Sequence, residues 1–452
     1  MIITEIYTEG FRNLSGKLIA SPGINILCGD NAQGKTNWLE AIYLLASTKS
    51  FRTSTLKETF RLNPTNQTSK QAFVRGSVLR ERLQKDLQVH LEENTKSFYI
   101  NGKREAVTRY LGNLDVIVFC AEEMQIVRGE PAERRRFLDR GIVSLTPSYL
   151  KTISEYNRVL KQKNTLLKEA QESQNLSKFI DLIASWNQQL IEYSTRIHSS
   201  RVDYTNRLSK LINKQLFSQK KIEINYLSSL AQHGVSQKSS TEDYQKILTE
   251  RLRLRLENEI AVGYSLIGPH RDELEILIDG QEVSKFGSSG EQRSALITLD
   301  LAQIAIYHQT FEEYPIFLID DIDAELDLKR ISLLLDHLAN KMQVFISTSK
   351  REIASQYQKK AQCNFISQGK IIENTSENIF EIVENIFEKQ IFENNEIITK
   401  TTDLSVNNLV ENKENLQIES VKTSASNNVF LVKEDFKEEP SIDEEDRHRA
   451  PF

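Results

Sequence analysis

Gly29-Asp30-Asn31-Ala32-Gln33-Gly34-Lys35-Thr36-Asn37 is the stretch on which the reading of this chain turns. Ahead of it, Ile24-Asn25-Ile26-Leu27-Cys28 is a short apolar run of the kind that forms a buried strand. Behind it, Trp38-Leu39-Glu40-Ala41-Ile42-Tyr43-Leu44-Leu45 carries apolar residues at helical spacing. Strand, G-x-x-x-x-G-K-[ST], helix is the phosphate-binding loop in the context it requires. Its glycines let the backbone turn so that the N–H groups from Gly29 to Asn37 converge on phosphate. The helix N-terminus adds positive potential. Lys35 supplies a mobile charge for the β- and γ-phosphates, and Thr36 a hydroxyl for Mg²⁺. The plain alternative, a glycine turn before a helix, leaves the strand, the Lys-Thr pair and the downstream motifs as coincidences.

Two later stretches extend the reading. Ser288-Ser289-Gly290-Glu291-Gln292-Arg293 opens a predicted helix over 294–309, where backbone N–H groups and the dipole make an anion site, or simply a cap. Ile316-Phe317-Leu318-Ile319-Asp320-Asp321 is a buried strand ending in paired acids. Asp320 is placed to hold Mg²⁺ and Asp321 to polarise an attacking water, which makes Asp321 and Lys35 the catalytic candidates. Ser347-Thr348-Ser349 ends a further strand, its hydroxyls either sensing a γ-phosphate or capping the strand.

Other polar stretches have two readings each. Arg12, in Phe11-Arg12-Asn13-Leu14, is either a turn residue or a phosphate or adenine contact. Lys49-Ser50-Phe51-Arg52-Thr53 and Lys57 are a solvated basic face or a DNA backbone contact. Arg134-Arg135-Arg136 fan around a helix and suit either DNA or ion pairs between lobes. Gly268-Pro269-His270-Arg271-Asp272 is structural or functional in equal measure.

Composition sets the outer bounds. With 452 residues, 39% hydrophobic and 27% charged, the chain has room for two or three domains and a sizeable core. No apolar run is long enough to span a membrane, and the N-terminus lacks the features of a signal peptide, so a cytoplasmic protein is expected, one that the family resemblance described below would place at the nucleoid. Cys28, Cys120 and Cys363 have no metal-ligand spacing and read as buried thiols. Residues 375–452 hold 18 acids and 8 bases, a net of −10, against +5 for the remainder. A mildly basic body with an acidic tail is compatible with nucleic-acid binding.

Residues 148–215 read as two amphipathic helices broken near 172–177, with apolar spacing at Leu160, Leu166 and Leu167, then Phe179, Leu182, Ile183 and Trp186. Residues 71–79, 86–91 and 97–101 read as an antiparallel layer with a turn at Asn101-Gly102, and 241–259 as a helix. Beyond 374 an amphipathic helix over 377–392 is expected, then disorder.

Loop, Ser-Ser-Gly helix start and paired-acid strand together resemble an ABC-type ATPase. With the Arg-rich stretch, Pro269-His270-Arg271-Asp272 and Glu325-Leu326-Asp327 added, the order of motifs over 1–373 resembles the bacterial RecF family of DNA repair proteins. The resemblance implies an α/β fold: a P-loop ABC-type ATPase head (1–115 and 260–374), a helical second lobe with a short coiled-coil-like arm (116–259), and an acidic tail (375–452). It implies an ATP-dependent homodimer that binds duplex DNA at single-strand gaps, hydrolyses ATP slowly, and works with RecO and RecR to load recombinase. Carried onto this chain, Ser289, Gly290 and Gln292 form a signature that caps nucleotide on the other subunit. Arg52, Lys57, Arg134 and Arg135 are the DNA-contact candidates.

Ala32 stands where the family pattern has Gly, Ala121 and Glu123 where it has Pro and Asp, and Ser347 and Ser349 where it has Thr; none removes a required chemical group. Two other classes compete. A chromosome-organising ATPase would need a longer arm, and a transporter ATPase would need a membrane-docking surface.

Overall fold

The computed structural model describes residues 1–61, 71–80, 83–173, 176–212 and 220–374. The expected tail and the helix expected over 377–392 lie outside the described residues. Three runs, Ile24–Cys28, Val344–Thr348 and Ile316–Ile319, are buried at every position and form the centre of the mainly parallel sheet such runs favour. In spatial order its strands are Lys370–Asn374, Ala361–Ser367, Ile24–Cys28, Val344–Thr348, Ile316–Ile319 and Val116–Phe119. All neighbours run parallel except the edge hairpin of the last two strands in the chain. The strand leading into the phosphate loop is therefore flanked by two strands from more than 300 residues downstream.

The loop helix, Lys35–Ser47, packs Trp38, Leu39, Ile42 and Leu45 into one apolar core with Leu318 and Phe345 of this sheet and Ile3, Ile6, Val74 and Val89 of another. That second sheet is antiparallel, in the order Gly16–Ile19, Ile2–Glu9, Gln71–Arg80, Leu83–Glu92, Thr95–Ile100 and Lys103–Glu105. Its alternation is clean: Ala72, Val74 and Val78 face the helix, while Phe73, Arg75 and Ser77 face outward.

The other core joins the helical region to residues of the parallel sheet such as Ile26, Phe317 and Ile346. Helices Pro131–Leu145, Tyr149–Glu172 and Ser177–Ile212 pack with a three-stranded sheet of Gln281–Glu282, Glu273–Ile278 and Ile222–Leu227. The longest helix, 36 residues or about 54 Å, buries Ile183, Leu190, Ile197 and Tyr204, which recur every seven residues. Ile183 and Leu167 are buried as their spacing predicts, but Leu182 is 44% exposed, one position out of phase with the buried stripe. The expected helix over 241–259 is two helices, Thr241–Leu254 and Leu256–Val262, joined at Arg255. The sheets cross the boundaries drawn from sequence. Val116–Phe119 pairs within the nucleotide-end sheet, and Glu273–Ile278 pairs with Ile222–Leu227. All three cysteines are buried free thiols, and no described helix is long and apolar enough to cross a membrane.

Candidate nucleotide site

The loop closes around its own lysine. Lys35 Nζ donates to the carbonyls of Gly29 at 2.7 Å and Asp30 at 3.0 Å and is 4% exposed. Gly34 takes a φ of +106°, and a Cβ there would meet the Asn13 side chain at 2.9 Å, so only glycine fits. Ala32 also lies in the left-handed region, at φ +63°. Its methyl makes that conformation costly, which is the physical content of the Ala-for-Gly departure.

Across the gap between chain halves, Thr36 Oγ1 donates to Asp320 Oδ1 at 2.9 Å, and Ser347 Oγ donates to the same oxygen at 2.6 Å. Ser347 Oγ in turn accepts from the Asp321 backbone N–H at 2.7 Å. Burial pushes the Asp320 carboxyl up to about 6, against the lowering effect of the Ser347 and Thr36 donors and with a further rise from Asp321. Asp321 has φ +45° and is likewise raised by burial, with Lys35 opposing. These residues fit a magnesium nucleotide. The hydroxyl and carboxylate suited to Mg²⁺ bond to one another, the buried Asp320 forms no ion pair among the described residues, and Lys35 is held by backbone carbonyls.

The rest of the loop is braced from outside. Gln33 O accepts from Gly369 N, and Gln33 Oε1 accepts from Gln368 N, both at 2.7 Å. Asn37 Nδ2 donates to Asn13 Oδ1 at 2.8 Å, and Arg52 Nη1 donates to Asn37 Oδ1 at 2.9 Å. Arg12 has a different partner from the one its position suggests. Its guanidinium grips Glu40, a fully buried acid of the loop helix, at 2.8 and 3.0 Å and the Glu58 carbonyl at 2.5 Å.

The signature stretch divides. Ser288 caps the helix Ser289–Phe311 with Glu291 in a capping box, and Ser289 is exposed. Gln292 is turned inward, donating to Val283 O at 3.2 Å and accepting from Arg128 Nε at 2.5 Å. Among the described residues, no hydrogen bond joins Ser289, Gly290 or Gln292 to the phosphate loop of their own chain.

Sequence reading passed over two acids. Asp323 accepts from Thr348 Oγ1 at 2.7 Å, Ser349 Oγ at 2.9 Å and Ser349 N at 3.2 Å. These donors overcome the effect of burial and hold its carboxyl below the usual range. The hydroxyls expected near a γ-phosphate are thus held by acids in this conformation. Glu122 lies near the paired acids, where it raises both carboxyls, and 3.8 Å from Arg52. Its neighbour Glu123 instead turns to pair with Arg140. The signal for Asp323 is its place in Asp320-Asp321-Ile322-Asp323, beyond the paired acids on which the reading stopped.

The basic candidates separate in the same way. Arg134, read as either a DNA contact or an ion pair between lobes, is buried and binds both Glu273 oxygens, at 2.7 and 2.8 Å, and Gly129 O. Arg135 is half-buried and donates to Asp272 O at 2.8 Å. Arg136, not named among the candidates, is the exposed member of the three. Arg52 is more than one-third exposed at the edge of the loop helix, and Lys57 is exposed beside Glu93 at 3.2 Å. The Pro-His-Arg-Asp stretch is a structural joint. Asp272 is fully buried and accepts from Tyr226 and Ser229, and His270 bonds Tyr156 at 2.6 Å with its pKa lowered by burial to about 4.

With this geometry in view, likeness to known proteins has a physical meaning. The RecF/RecN/SMC N terminal domain family matches residues 2–372. The DNA replication and repair protein RecF of Staphylococcus carnosus (strain TM300) is 34% identical over 380 residues, covering 82% of this chain and all of that protein. RecF of Lactobacillus gasseri is 35% identical over 379 residues, 82% of this chain and 99% of that one. A solved structure of the recombination mediator protein RecF-ATPrS in the RecFOR pathway superposes with a TM-score of 0.73 at 30% identity. It covers 82% of this chain and 97% of its own. Full-length matches at this identity, joined to the loop and paired-acid geometry, lead to one conclusion: the chain belongs to the RecF family.

Proposed function

We propose that this protein is an ATP-dependent DNA-binding switch of recombinational repair and replication. Two copies close on ATP, hold duplex DNA at a single-strand gap, and let go on slow hydrolysis. One observation carries the reading: the hydroxyl of Thr36 and the carboxylate of Asp320, 284 residues apart, meet at 2.9 Å beside a lysine held inside its loop. Thr36 and Asp320 would hold Mg²⁺, which when bound would neutralise phosphate charge. Lys35 leaves the loop carbonyls for the terminal phosphates. Asp321 orients water, and the exposed Ser289 with the first-turn N–H groups caps the nucleotide of the second copy. Residues 1–115 and 260–374 make up most of the nucleotide head and 116–259 most of the helical lobe, except that Val116–Phe119 belongs to the head's parallel sheet and Glu273–Ile278 to the sheet packed with the lobe. The solved relative carries the description RecF-ATP in the RecFOR pathway, which supports RecO and RecR as partners of this chain too.

Sedimentation of the Asp321→Asn protein with and without ATP, then with a gapped duplex, tests the reading. An ATP-dependent dimer that retains DNA is expected, with the DNA affinity falling as salt rises. A monomer under every condition would remove the two-copy mechanism. Lys35→Ala should prevent the dimer, and Ser289→Arg should leave nucleotide bound to a monomer.

A further inference from the structure

We infer that Asp300 is a positioning residue of the nucleotide-bound state: it takes Arg140 over from Glu123 when nucleotide arrives, and so ties the turn beside the paired acids to the helix that begins at Ser289. The inference rests on the nucleotide reading proposed above and adds a moving part to it. Three elements meet at this place. Glu123 lies in the short turn Glu122–Met124, Arg140 in the helix Pro131–Leu145, and Asp300 in the middle of the helix Ser289–Phe311. As folded, Arg140 forks onto both Glu123 oxygens. Its charge also reaches the Tyr43 hydroxyl of the loop helix.

Asp300 is the acid left over. It is 3% exposed, and its Oδ2 has no hydrogen-bond partner among the described residues. Buried carboxylates are normally satisfied, so an orphaned one marks a partner that the fold supplies in only one of its states. Gln303 Nε2 is orphaned beside it. Both residues line a cavity of about 60 Å³ whose wall also includes Tyr43, Glu123, Arg140 and Tyr204. The guanidinium therefore has two acids and free space within one cavity. Asp300 already senses the pair: burial holds its carboxyl well above the usual range, Glu123 adds to the rise, and Arg140 opposes it. Releasing Glu123 costs little, because Arg140 is 44% exposed and an exposed ion pair contributes little. The drive comes from the neighbouring residue. Glu122 stands close enough to Asp320 and Asp321 for its charge to reach both. Phosphate arriving there meets that charge and shifts the turn, which also carries Glu123. The freed arginine then satisfies the buried Asp300.

The test measures the affinity of a non-hydrolysable ATP analogue at protein concentrations too low for dimers. It compares the unaltered protein with Asp300→Asn, Glu123→Gln and Arg140→Gln, and with the first two each combined with Arg140→Gln. Asp300→Asn should weaken binding about tenfold, the scale of one charge-assisted bond. Glu123→Gln should tighten it, because the competing partner is gone. Both effects should vanish in the Arg140→Gln background. A merely structural role gives neither the opposite signs nor the dependence on Arg140. Because Glu123→Gln alters a different element, its sign alone can overturn the inference even where Asp300→Asn does not fold. Unchanged affinity in Asp300→Asn, weaker binding in Glu123→Gln, or the same Asp300→Asn loss in the Arg140→Gln background each overturns it and leaves the nucleotide site standing. If the unaltered protein binds no analogue, or binds it as well after Lys35→Ala, the nucleotide reading falls and takes this inference with it.

Discussion

The nucleotide end of the parallel sheet and the joint between helical lobe and sheets both bury charged residues, yet they handle charge in opposite ways. At the joint, several buried charges meet their opposites inside the chain. Lys163 and Glu259, both fully buried, pair at 2.7 Å; Arg201 pairs with Asp139 at 2.9 Å; Arg134 forks onto Glu273. At the nucleotide end, Lys35 leans on carbonyls and Asp320 collects hydroxyls, while Asp321 and Glu122 add more negative charge nearby. The first region is complete as folded. The second is balanced only when something outside the chain is added. A charged motif in a sequence signals a ligand when the fold leaves its charges unmatched, and a scaffold when it matches them.

Perturbing both regions sharpens that contrast, and the largest effect belongs to the joint. Lys163→Met strands Glu259 in the core and should cost about 3–5 kcal/mol, seen as a lower denaturation midpoint. Adding Glu259→Leu should restore much of it. If the single variant is as stable as the parent, the joint is not charge-matched as described.

At the nucleotide end the sign reverses. Burial raises the folded pKa of Asp320 from its ordinary 3.8 to about 6. Its favourable contribution is therefore complete below pH 3.8 and lost as pH rises through 6. Asp320→Asn should thus stabilise the nucleotide-free protein by as much as about 3 kcal/mol above pH 6, with the advantage fading toward pH 4. Thermal melts across that range check it, and a destabilised Asn variant at pH 7 would show that Asp320 is already neutralised. The same substitution should abolish ATP hydrolysis.

A smaller contrast lies within one helix. Arg134→Ala should cost about 2 kcal/mol through its buried partner, and Arg136→Ala less than about 0.5 kcal/mol, since Arg136 is 70% exposed. Equal costs would erase the distinction between them. The smallest effect concerns the loop itself. Ala32→Gly relieves a left-handed alanine and should stabilise the protein by roughly 1 kcal/mol, provided the added freedom of the unfolded chain does not cancel it.

The fold and the phosphate loop were legible because their signals are local. A buried strand, a glycine-bounded loop and a helical period fall within about 25 residues, and the paired acids end an apolar run of four. What the sequence left open depended on distant partners. Nothing near Arg12 announces Glu40, nothing near Arg134 announces Glu273, and nothing near Gln292 announces Arg128 and Val283. The three arginines alternate between buried, half-buried and exposed because successive helix positions turn by about 100°. Leu182 fell outside the core for a related reason, since a seven-residue stripe admits Ile183 and turns its neighbour to solvent.

The brace of Gln33 by Gln368 and Gly369 also sets an order of events during synthesis. The strand Ile24–Cys28 emerges early from the ribosome, but both strands that flank it, and the turn that steadies the loop after it, are translated more than 300 residues later. The nascent chain must carry an unpaired apolar strand through most of its elongation, during which slow long-range pairing leaves it open to aggregation. Nucleotide binding is therefore acquired in a single late step, once residue 369 has cleared the exit tunnel, and a chain released before that point has the motif without the site.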